Sequence, residues 1–150
     1  MGRGQIATLV GAFVIALVAA GCGGGDDTAS ATEKAAFIKQ GDAICAKAES
    51  RKNADLEDAF KKQAKSGKSM DKAFETRLVT EVALPPVVVM TEELAALDLP
   101  DEDAEAIISA YESSISGIEE SPNSVLDGSN PFEEADRLAS KYGFRACAEI

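Results

Sequence analysis

The chain downstream of residue 32 predicts an all-α fold, an antiparallel four-helix-type bundle stapled by one disulfide. Three observations carry this. Apolar residues recur at three- and four-residue spacing through several long stretches. The strict alternation of a half-buried strand is missing. Helix-stopping residues, among them Gly67, Pro85-Pro86, Pro100 and Gly143, punctuate the stretches.

The first segment belongs to targeting. Residues 1–5 are short and polar with one positive side chain, Arg3, and residues 6–20 carry no charged or strongly polar side chain. A basic head before a short apolar run is how a secretory signal begins. The run of about 15 residues is shorter than the roughly 20 that a membrane-spanning helix needs. Ala19-Ala20-Gly21-Cys22 then resembles a lipobox, the cleavage site of bacterial lipoproteins. The resemblance implies thioether-linked diacylglycerol on Cys22, a third acyl chain such as palmitate on the new N-terminus, and residues 1–21 as the removed signal. Ala19 stands where the pattern usually has Leu. The other reading is an ordinary signal peptide whose Cys falls there by chance. Two or more chains would hold stably, because each buried methylene contributes about 0.8 kcal/mol. The expected location is the extracytoplasmic face of the cell membrane. Residues 22–32 read as a lipidated Cys and a flexible tether with a span of roughly 18 Å, and residues 33–150 as the helical domain.

Within that domain, Ser30-x-x-Glu33 has capping-box form. Phe37, Ile38, Gly41, Ile44, Cys45 and Ala48 lie on one helical face, which resumes at Leu56, Ala59, Phe60 and Ala64. A helix over 32–66 follows, with a break allowed near Asn53 and Gly67 as its stop. Ser69 is the expected cap of the next helix, with Asp71 near its positive end and Phe74, Leu78 and Val82 as its stripe. Pro85-Pro86 should kink or break that helix, since proline lacks a donor and clashes with the preceding turn. Val87, Met90, Leu94 and Leu97 give a fresh stripe; Val87-Val88-Val89 alone could be a strand, but it has no partner. Asp101-Glu102-Asp103 opens the next helix, on which Ala104, Ile107, Ile108, Tyr111, Ile115 and Ile118 form the cleanest amphipathic face. After a turn at Ser121-Pro122, Asn130-Pro131 begins the last helix, with Phe132, Ala135, Leu138, Ala139 and Tyr142 inward. Gly143 stops it, and Phe144 is placed to fold back.

Composition narrows function. Without residues 1–21 the chain holds 14 Lys and Arg against 26 Asp and Glu, a charge of −12. That argues against nucleic acid and against anionic membrane surfaces, which need cationic footprints. There is no His, which removes the commonest general base, the Ser-His and Cys-His pairs and the commonest zinc ligand. A Ser–Lys pair is the nucleophilic arrangement left, and no spacing points to one. Cys45 and Cys147 are the two cysteines besides Cys22. Beyond the cytoplasmic membrane such a pair reads as a disulfide, closing a loop of about 100 residues that the chain-entropy account values at roughly 4–5 kcal/mol. The alternative, a redox-active pair, usually needs Cys-x-x-Cys spacing and a lowered pKa.

The lipobox, Gly41-Asp42-Ala43-Ile44-Cys45, Leu84-Pro85 and Tyr142-Gly143-Phe144-Arg145-Ala146-Cys147 together resemble a group of small actinobacterial lipoproteins. Ala148 stands where that group usually has Gly. The resemblance supports the disulfide and a helical domain and implies no mechanism, cofactor or catalytic residue.

Two acidic features could bind a cation. Asp101, Glu102, Asp103 and Glu105 are the densest, but they open a helix, where carboxylates cap N–H groups. Asp127-Gly128-Ser129-Asn130 is also ordinary turn vocabulary. Glu119-Glu120 and Glu133-Glu134 read as solvated faces, and Tyr111 and Tyr142 as core residues with wet hydroxyls. The leading expectation is a non-catalytic, lipid-tethered module that binds a partner, a protein or small ligand that the sequence does not name, or supports the envelope. The second is a solute- or cation-binding lipoprotein with a pocket near Pro85-Pro86 or at Asp101–Glu105.

Overall fold

A computed structural model describes residues 25–150, so Cys22 and the segment expected to be a signal lie outside the described residues. Every regular element described is helical. α1 (Gly25–Ser66) runs 42 residues, about 63 Å at 1.5 Å per residue. α2 (Lys72–Arg77), a π-helical segment (Leu78–Ala83) and α3 (Leu84–Ala95) follow end to end as one rod. α4 is Glu102–Glu120 and α5 is Glu133–Tyr142, with 3-10 turns at Pro122–Asp127 and Cys147–Glu149.

The four rods alternate in direction. Lys47 on α1 pairs with Glu93 near the end of α3 at 2.9 Å, while Gln63 near the end of α1 bonds Ser69 just before α2. Tyr142 at the end of α5 reaches Asp101 at the start of α4. Thr76, near the start of the second rod, bonds Asn123 just past the end of α4, and together these pairings make an up-down-up-down bundle. One connected core runs through it, from Phe37 and Cys45 on α1 through Met90 and Leu94 to Ile107, Tyr111 and Ile118, closed by Ala135, Ala139 and Phe144. All of that core lies within residues 37–147.

The prolines mark a restart, as the sequence predicts: α3 begins at Leu84 with Pro85 and Pro86 in its first turn, and the irregularity is the π segment just before. In an α-helix Pro85 and Pro86 would sit against the carbonyls of Glu81 and Val82 with no N–H to offer. The wider π turn, bonded five residues back, relieves this; Leu84 N–H accordingly reaches the Val79 carbonyl.

Other boundaries moved. α1 already begins by Gly25 among the described residues, so Ser30 is inside it and caps nothing, and there is no break at Asn53. Residues 25–32, expected as tether, belong to α1. Asp71, not Ser69, caps α2, its Oδ1 accepting Phe74 N–H at 2.9 Å. Asn130 does not cap α5 directly. It accepts Phe132 N–H and donates to Asp136, closing the turn before the helix. Gly67 and Gly143 take positive φ as helix stops require, and Phe144 N–H folds back to the Ala139 carbonyl.

Candidate functional site

The two motifs around the cysteines meet and hold each other. Cys45 and Cys147 are disulfide-bonded, with Cα atoms 5.1 Å apart. Asp42 Oδ1 accepts the backbone N–H groups of Arg145 and Ala146 at 2.9 and 2.8 Å. Gly41 leaves room for the Phe144 ring, whose Cε1 would lie 2.5 Å from an added Cβ. Tyr111 donates its hydroxyl to the Cys147 carbonyl, and Lys52 donates to the Ile150 carbonyl. Gly41, Asp42, Cys45, Phe144 and Cys147 therefore each have a structural task in seating the Cys147 segment against α1.

Both tyrosine hydroxyls, expected to be wet, are bonded within the protein instead. Burial pushes the Tyr111 pKa well above the ordinary tyrosine range, and Asp136 adds to it. Tyr142 donates to Asp101 Oδ2 at 3.0 Å and is shifted the same way, first by burial and then by that carboxylate.

The acidic cluster opens α4. Asp101 Oδ1 caps the helix by accepting Ala104 N–H at 2.9 Å, and its other oxygen accepts a hydrogen bond from the Tyr142 hydroxyl. Glu102, Asp103 and Glu105 are exposed. Among the described residues no three His, Cys, Asp or Glu side chains converge as metal ligands would. The cleft beside Asp103 has only about 50 Å³. Asp127 ends a 3-10 turn and Gly128 takes φ 84°, so that stretch is a turn.

A cavity of about 230 Å³ opens beside the π segment. Its apolar walls include Val79, Ala83, Leu84 and Val87 from the rod, Ile118 from α4 and Phe132 before α5. A dry apolar cavity of about 150 Å³ accommodates a benzene-sized guest, so this one takes a somewhat larger small molecule. Lys52, Ser129 and Asn130 are its polar side chains. Asn130 is committed at both ends, to Phe132 N–H and to Asp136. Ser129 donates to the Ser124 carbonyl. Lys52 spends one donor on Ile150, and an ammonium has three. Lys52 thus keeps two donors for a guest, and the Asn130 amide keeps its second N–H. The lining contains no carboxylate side chain, thiol or phenol.

The cavity was legible in the sequence only as the Pro85-Pro86 irregularity. Lys52, Ile118 and Phe132 come to it through tertiary packing, and no local pattern marks them. The described helices include none long and apolar enough to cross a membrane. No protein family, curated protein or solved structure matches this chain.

Proposed function

We propose that this chain is a lipid-anchored, extracytoplasmic, non-catalytic binding module, akin to the small actinobacterial lipoproteins its motifs resemble. Its ligand is a small, mainly apolar molecule carrying one hydrogen-bond acceptor or carboxylate. The observation that carries this is the cavity beside the π segment, with apolar walls and the spare donors of Lys52. Ligand sites commonly combine an apolar concavity with a few placed polar groups, and π-helical segments occur often at functional sites. The anchor rests on the lipobox at Cys22 and the basic, apolar leader before it.

Two experiments test the two halves. Labelling cells with a palmitate analogue should tag the protein, and Cys22→Ser should abolish the tag; a tag that survives, or none on the parent, overturns the anchor. For the cavity, thermal melts are run against small carboxylates with aromatic or branched apolar bodies. A ligand at 100 times its Kd stabilises by about 2.7 kcal/mol, or roughly 10 °C for a domain of this size. Ala83→Phe, which fills the cavity, should remove the shift without lowering the Tm of the free protein. Melts that stay flat across the series contradict the binding role.

A further inference from the structure

The charge of this acidic chain is unevenly placed. Residues 61–77 hold six Lys and Arg against two Asp and Glu, a local charge of +4 in a chain of net −11. These residues form the hairpin tip where α1 ends and α2 begins. Of the two acids, Asp71 is occupied as the α2 cap. Lys61 is held by Glu57, which lowers the Glu57 pKa and raises that of Lys61. Lys62, Lys65, Lys68, Lys72 and Arg77 are exposed and, among the described residues, have no carboxylate within ion-pair distance.

Three of these cations, Lys62, Lys68 and Arg77, surround an open notch of about 280 Å³ with Phe74 and Leu78 in its lining; Glu81 is its one carboxylate. The two most exposed large apolar side chains of the described chain outside α3 flank the same tip, Phe60 at 42 % and Met70 at 57 % exposure. Unpaired cations select phosphate or carboxylate groups. Exposed Phe and Met beside them have no use for a soluble anion, but they insert among lipid headgroups, as interfacial segments do.

We propose that the hairpin tip is a second membrane contact, binding the phosphates of an anionic bilayer surface. The tip lies at the opposite end of α1, about 63 Å from its N-terminal end at Gly25. Contact there lays the long helix along the bilayer rather than standing it upright. The whole-chain charge predicts no such contact; the local one does. The tip's contact with anionic lipid is independent of the cavity; that it is a second contact, laying α1 along the bilayer, rests on the anchor proposed above.

The test uses residues 25–150, which contain the whole connected core, without lipid. Flotation with phosphatidylcholine vesicles is compared with an equal mix of phosphatidylcholine and phosphatidylglycerol, at low and high salt. The protein should float with the anionic vesicles only, and high salt should release it. Each cation near an anionic surface contributes roughly fivefold, so changing Lys62, Lys68 and Arg77 to Gln should weaken binding by roughly 100-fold. Those side chains are exposed, so an unchanged thermal melt confirms that the variant folds. Phe60→Ser with Met70→Ser should weaken vesicle binding further without changing any affinity for soluble polyphosphate. Equal flotation with both vesicle types, or indifference to the triple substitution, overturns the proposal. So does binding of polyphosphate without vesicle binding, which would make the notch a site for a soluble anion.

Discussion

Replacing Gly41 by Ala sets two effects against each other. Gly41 is inside α1, where Ala is favoured by about 1 kcal/mol on helix propensity. Against this, the new Cβ would stand 2.5 Å from Phe144 Cε1 and 3.1 Å from Leu94 Cδ2. Carbon atoms in comfortable contact lie about 3.5–4.0 Å apart, so the Phe144 ring must retreat by about 1 Å. It has little freedom to do so. Its ring packs edge-on against Phe37 with centroids 5.4 Å apart and stacks on Tyr142 at 5.7 Å. Its N–H is bonded to Ala139, and Cys147 pins the chain three residues on. Overpacking of this kind costs about 1–3 kcal/mol, and loosening the ring pairs costs roughly 1 kcal/mol more. Packing wins, and the net loss should be about 2 kcal/mol, or roughly 8 °C in Tm. The assay is urea and thermal unfolding of the oxidised protein, followed by circular dichroism. The same substitution in a Phe144→Leu background meets less steric resistance, so it should become neutral or slightly stabilising, a coupling of about 2 kcal/mol. If Gly41→Ala stabilises the parent, or costs the same in both backgrounds, the reasoning about this contact is wrong.

Three further outcomes follow from the same region. Replacing Cys45 and Cys147 together by Ala releases a closure over 102 residues and should lower unfolding free energy by roughly 4 kcal/mol, read from urea melts; a loss under about 1 kcal/mol would show that the bridge adds little. Asp42→Ala strands the N–H groups of Arg145 and Ala146 and should cost about 1–3 kcal/mol, while Asp42→Asn, which keeps an acceptor, should cost less; equal costs would refute the two-bond role. Tyr111 has a raised pKa when folded, so below the unfolded value of about 10 both states keep the proton and stability is unaffected. Above that pH the unfolded state ionises first, and stability should fall by up to about 1.4 kcal/mol per pH unit until the folded pKa is passed. Tyr142 is shifted the same way, so Tyr111→Phe should lessen that decline and Tyr111→Phe with Tyr142→Phe should flatten it in melts taken from neutral to alkaline pH; an unchanged slope in the single variant would contradict it.

The sequence revealed what repeats along a helix and hid what depends on neighbours. The α4 face from Ala104 to Ile118 was readable because six apolar residues sit at helical spacing, and all six are buried. Phe144 was readable because Gly143 turns the chain back onto α5. The second half of the α1 stripe misled, since Leu56 is half-buried and Phe60 exposed. There α1 meets the second rod, where Phe60 packs edge-on against Phe74 at 5.9 Å and stays partly open to solvent. Ser69 lost its expected cap role because Asp71 is placed to reach the free N–H of Phe74. A basic tip was invisible in the net charge and visible only when the charge was read by position. The π segment was foreshadowed by Pro85-Pro86, but its form depends on carbonyls one turn back, and the cavity beside it depends on Lys52, Ile118 and Phe132 from other elements.

The binding role is tested most directly by mapping amide chemical-shift changes during titration with a small apolar carboxylate. The account predicts saturable shifts centred on Val79, Ala83, Val87, Ile118 and Phe132, with Lys52 responding to the carboxylate, and their loss in Ala83→Phe. Shifts scattered over the surface, or none at any concentration, would contradict it.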